Sequence, residues 1–116
     1  MPDKSWGFAE VRFIDYYQVL ADVRRAVAEA KAARPEIVKV YLFGSLVQGN
    51  WTADSDADLI VVVRRDFAGI LERGDYHIST QSIPTDTVVY SESEFEKLAQ
   101  DPSSFLAQNL ASAIEL

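Results

Sequence analysis

Two aspartates with one residue between them, Asp56 and Asp58, open an aliphatic run that continues Leu59-Ile60-Val61-Val62-Val63. Successive side chains of an extended strand alternate faces, so these two carboxylates point the same way and can share one ion. Like charges held that close cost free energy unless a cation or a proton intervenes. A hard divalent cation such as Mg²⁺ prefers such oxygens and commonly binds through one or two carboxylates plus substrate phosphates. Asp86, near the start of a later strand, can close the same site from the neighbouring position in the sheet. Three converging carboxylates would hold two ions, which activate an attacking oxygen and neutralise a leaving pyrophosphate.

Upstream, Gly44-Ser45 follows directly on an apolar run. Glycine at a strand end permits dihedrals closed to other residues and lets another group approach the backbone. Such a turn offers amide groups and a hydroxyl to phosphates, best where it opens a helix whose positive end faces them. Together these parts suit phosphoryl or nucleotidyl transfer, where positioning and charge neutralisation supply most of the acceleration.

Rival chemistries fail on the same residues. Gly44 and Gly49 have the glycine spacing of a Walker loop, but Asn50-Trp51 stands where Lys-Ser/Thr is required. Asp54, Asp56 and Asp58 begin like a calcium loop, yet Leu59 replaces its glycine and Arg65 its bidentate glutamate. Ser45 as a hydrolase nucleophile lacks a nucleophile-elbow sequence, and the only histidine, His77, reads as a surface or loop residue. Trp51 reads as packing material in preference to a base-stacking platform. The bland alternative for the aspartates is a solvated turn in which Asp54 and Ser55 bond locally to the backbone. The Gly-Ser pair before it and the aliphatic run after it favour a site.

The elements that must position these groups are legible in outline. From Asp15 to Ala33, apolar Tyr16, Val19, Leu20, Val23, Val27 and Ala30 recur at spacings of three and four, one face of a helix closed by Pro35. Ile37 to Phe43 reads as a strand buried on much of both faces, and Leu59 to Val63 as a central strand. Asp66 to Gly74 reads as a short helical or irregular connection. Thr85 to Tyr90 is a third strand, and Ser91-Glu92-Ser93-Glu94 a capping box that starts a helix. Asp101-Pro102 predicts a further helix start, with Phe105, Leu106, Leu110 and Ile114 as its stripe.

At 116 residues the chain is expected to be one domain, residues 1–116, with a single modest core. Its formal charge of −7 and lack of a basic cluster disfavour binding to long nucleic acids. The absence of cysteine removes disulfides and thiolate chemistry, and no apolar stretch is long enough for a membrane span. The expectation is a cytoplasmic protein.

Gly44-Ser45, ten intervening residues, then Asp56-x-Asp58-Leu59-Ile60-Val61 resembles the signature of the DNA polymerase β nucleotidyltransferase superfamily. Its length and ending resemble the minimal nucleotidyltransferases, often encoded beside a HEPN-domain partner. The resemblance implies an α/β fold of the α+β type: a small mixed β-sheet with helices packed against it. It implies Asp56, Asp58 and Asp86 as ligands of Mg²⁺, with Asp86 also helping to deprotonate the acceptor hydroxyl. Gly44 and Ser45 would meet the triphosphate of ATP. Gln48 stands where many relatives carry an arginine, so it can donate a hydrogen bond to the nucleotide but brings no charge.

Three functions follow from that resemblance. The first is transfer of AMP from ATP to a tyrosine hydroxyl of a HEPN-domain toxin, as its antitoxin. The second is neutralisation of that partner by contact alone, with little or no turnover. The third is modification of a small hydroxylated compound. A chain this short has little room for its own acceptor pocket, so the acceptor surface is expected on a second subunit.

Overall fold

The computed structural model describes residues 16–49, 51–52, 55–67 and 69–116, which leaves the expected helix start at Asp15 and the carboxylate of Asp54 outside it. Helix α1 spans Tyr16–Ala33 and buries Val19, Val23 and Val27, one residue per turn. Each fully buried valine contributes about 1.5–2 kcal/mol of burial free energy. Strand β1 (Ile37–Phe43) follows, then a four-residue helix α2 (Ser45–Gln48) and strand β2 (Ala57–Val63). A 3₁₀ segment, Ile70–Tyr76, occupies the expected irregular connection and runs two residues past Gly74. Strand β3 (Thr85–Ser91) leads into helix α3 (Glu92–Ala99), then helix α4 (Phe105–Leu110) and strand β4 (Ile114–Glu115).

The sheet is mixed, with strand order β3-β2-β1-β4. β1 is antiparallel to both β2 and β4, and β2 is parallel to β3. β2 is apolar along almost its whole length because both of its faces are covered. Ala57, Leu59, Val61 and Val63 meet the α1 valines, while Ile60 and Val62 meet Phe43 and Leu106 on the other face. That second face carries Phe95, Leu98 and Leu110 from the C-terminal helices.

Two expectations at the C-terminal end are corrected. The helix predicted to start at Asp101-Pro102 begins at Phe105, capped by Ser104, whose hydroxyl accepts from the Ala107 amide at 3.0 Å. Asp101 instead closes a local turn, accepting from the Ser103 amide at 3.0 Å and the Ser103 hydroxyl at 2.7 Å. Two acceptable capping residues stood three positions apart, and the packing of Leu106 into the core selected the later one. Ile114, assigned above to the same helical stripe, lies in β4, where it pairs with Leu42 at the sheet edge.

The capping box at the start of α3 is present in full. The Glu94 amide donates to Ser91 Oγ at 3.2 Å, and the Ser91 amide to Glu94 Oε1 at 2.9 Å. Glu94 is also gripped by both terminal nitrogens of Arg73, at 2.8 and 2.7 Å, and Arg73 donates to the Val89 carbonyl. The 3₁₀ segment is thereby tied to β3 and α3. Among the described residues no helix is long and apolar enough to cross a membrane.

Candidate active site

The candidate site lies where β1 ends and β2 and β3 begin. Phe43 of β1 faces Asp58 of β2, and Asp58 faces Asp86 of β3, so the three form one row across the sheet. Residues paired across neighbouring strands project from the same face. The aspartates therefore continue, at the sheet's end, the face that Ile60, Val62 and Phe43 turn toward α4. Asp86 is exposed and Asp58 half-buried. Asp56 is exposed, one residue ahead of the strand, with its charge acting on Asp58.

Gly44 follows Phe43 with φ +82° and ψ −152°, a conformation that residues with a Cβ essentially never adopt. A Cβ there would overlap Asp58 Oδ2 and lie 3.2 Å from its Cγ. The glycine thus makes room for the aspartate as well as permitting the turn. Reading β1 and β2 as adjacent antiparallel strands would have placed these two positions side by side; their spacing alone does not.

Ser45 opens α2, half-buried, with fully buried Leu46 behind it. The amides of Val47 and Gln48 both donate to the Gly44 carbonyl at 3.0 Å, and Gly49 closes the turn in the left-handed conformation. The opening amides of such a turn have no acceptor inside it and, with the Ser45 hydroxyl, suit phosphate oxygens. Gln48 is exposed at the far end.

Asp58 is the electrostatic centre. Its pKa is raised, first by burial, then by the charges of Asp86 and Asp56. A carboxylate strained by burial and by two like neighbours favours a cation beside it. Among the described residues no three acidic or histidine side chains close into a cage that could hold a metal ion by themselves. The donor set fits a hard divalent cation held jointly with phosphate oxygens, the usual manner of Mg²⁺.

The remaining sequence candidates lie around this end. Trp51 packs its ring against the core and meets Tyr16 edge-on, with centroids 5.8 Å apart. His77 is exposed in the segment after the 3₁₀ turn, its Nε2 3.4 Å from the Thr85 hydroxyl. Phe105 was expected only as part of a helix stripe. It is half-exposed, its ring edge-on at 5.8 Å to Phe43, the residue paired with Asp58. No local signal distinguished it from the other apolar residues of that helix.

A family model described as a nucleotidyltransferase domain matches residues 22–110, a span that holds every candidate site residue. The chain is also similar to the crystal structure of a proposed nucleotidyltransferase from Sulfolobus solfataricus, with a TM-score of 0.56 and 22% identity. The likeness covers 71% of this chain and 75% of that one, and at this identity it is a likeness of fold. Nothing among the curated proteins matches.

Proposed function

Because the chain belongs to the nucleotidyltransferase domain family, we propose that it is a Mg²⁺-dependent adenylyltransferase that moves AMP from ATP to a tyrosine hydroxyl of a HEPN-domain toxin partner, acting as its antitoxin in the cytoplasm. The observation that carries the catalytic part is the register of Asp58 with Asp86, beside the Gly44-Ser45 turn. The Ser45 hydroxyl and the opening amides of α2 bind the triphosphate. Asp56, Asp58 and Asp86 would hold the metal jointly with phosphate oxygens of the nucleotide. When bound, Mg²⁺ supplies charge neutralisation at the phosphates. Asp86, exposed to solvent, takes the proton from the acceptor hydroxyl as its oxygen bonds to the α-phosphorus of ATP and pyrophosphate leaves.

The partner is supported by the openness of the site and by charge. Asp56 and Asp86 are exposed to solvent, which leaves the acceptor side free for another protein's side chain. A formal charge of −7 accelerates association with a basic partner.

A second reading is favoured by Gln48, exposed and uncharged. In that reading the partner is neutralised by contact alone. Incubating the chain with ATP labelled at the α-phosphate, Mg²⁺ and the protein encoded beside it separates the two. Label on the partner, lost in Asp56→Ala, supports transfer; neutralisation that survives the substitution with neither protein labelled supports contact alone.

A further inference from the structure

Two parts of the candidate site lie outside the sheet: α2, which carries Ser45, and the residues Trp51, Thr52, Ser55 and Asp56 that precede β2. Tyr16, in the first turn of α1, reaches both. Its hydroxyl donates a 2.6 Å hydrogen bond to the Leu46 carbonyl, thirty residues away in sequence. Its ring packs edge-on against Trp51.

Each contact meets a physical need of the segment it touches. A helix of four residues has almost no internal hydrogen bonding, and its terminal carbonyls need donors from outside. The Tyr16 hydroxyl satisfies one of these from a long helix that is itself anchored by Val19, Val23 and Val27. Trp51 Nε1 is buried with no hydrogen-bond partner among the described residues, so the indole is held by its ring contacts, with Tyr16 among them. Beyond Trp51, the Thr52 amide donates to Ser55 Oγ and the Ser55 amide to the Thr52 carbonyl, both at 3.0 Å. That reciprocal pair ties Thr52, next to Trp51, to Ser55, next to Asp56.

We infer that Tyr16 is a positioning residue: its hydroxyl holds the Ser45 turn, and its ring the aspartate loop, in the relative placement that a nucleoside triphosphate bridging them requires. This rests on the nucleotidyl-transfer reading above. Tyr16 touches none of the candidate ligands itself, so its effect falls on binding geometry. Packing alone would be served equally by phenylalanine; the hydroxyl is what the inference turns on.

The test is Tyr16→Phe in the full chain, which keeps the ring and removes the hydrogen bond. Val27→Ala on the same helix serves as a control that lowers stability while keeping both Tyr16 contacts. The probe is a non-hydrolysable ATP analogue with Mg²⁺, and the second readout is hydrogen exchange at the Val47, Gln48 and Gly49 amides. Losing one hydrogen bond should speed exchange at these amides about threefold to tenfold and weaken analogue Kd by a similar factor. Val27→Ala should leave the Kd unchanged. Equal weakening in both variants, or a Tyr16→Phe protein that exchanges and binds like wild type, overturns the inference while leaving nucleotidyl transfer intact. A wild-type chain that binds no analogue overturns the nucleotidyl-transfer reading and this inference with it.

Discussion

Asp58 fits into the space that a side chain at Gly44 would occupy: a Cβ on the glycine would overlap the aspartate's Oδ2. Gly44→Ala therefore meets two penalties. The backbone conformation, at φ +82° and ψ −152°, costs an alanine about 1–3 kcal/mol. The added methyl also displaces the carboxylate from its place beside Asp86. Chemical denaturation should show a loss of at least that size, and Gly44→Ala with Asp58→Ala should be less destabilised than the sum of the single changes. Strict additivity would show that the two residues do not compete for one space.

Asp58→Asn should stabilise the fold while abolishing transfer. Burial first, then the charges of Asp86 and Asp56, raise its pKa above the ordinary 3.8. The folded chain consequently holds this proton more tightly than the unfolded chain. As pH rises from 3.8 through the folded value, the unfolded state releases its proton first and stability falls; above that window the penalty is complete. Thermal melts should give Asp58→Asn a higher Tm than wild type at pH 7, with the gain vanishing below pH 3.8. Millimolar Mg²⁺ with a nucleoside triphosphate should raise the wild-type Tm more than that of the variant.

Glu94 behaves in the opposite sense. The hydrogen-bonded Arg73 guanidinium, followed by the Ser91 amide, lowers its pKa from 4.5 to about 2 against the effect of burial. Its contribution is present above 4.5 and is lost as pH falls toward about 2. Glu94→Gln should lower Tm at pH 7, and the difference from wild type should close on acidification to pH 2. A constant difference across that range would show that charge is not what the contact supplies. Ser91→Ala, which removes the other half of the capping box, should cost about 1 kcal/mol at pH 7.

Asp86→Asn retains the shape of the row and removes one charge. Transfer of labelled AMP should fall by about two to three orders of magnitude, the scale on which a single group stabilising reacting charge acts. The circular dichroism spectrum should be unchanged, since Asp86 is exposed and no core contact depends on it. Activity within a factor of a few of wild type would remove Asp86 from the mechanism.

How much was legible in advance depended on whether a local rule was enough. The three-and-four spacing of apolar residues marked α1, the β-branched runs marked β1, β2 and β3, and a hydroxyl three residues before a glutamate marked α3. These patterns depend on backbone geometry within a few residues, which the sequence states directly. The cap of α4 falls on Ser104 and not on the expected Asp101, in the arrangement that buries Leu106. Ile114 could not be recognised as a strand residue because its partner, Leu42, lies far away in the chain.

The same division runs through the site. The sequence by itself determined which groups could do chemistry: a Gly-Ser turn, two aspartates with one residue between them, and a third near the start of another strand. Only the tertiary structure decided that β2 and β3 run parallel in a register that sets Asp58 beside Asp86, that Gly44 leaves room for Asp58, and that Tyr16 braces α2. Strand register and long-range contacts follow from how whole faces pack, and a shift of one residue would have turned Asp86 to the opposite face.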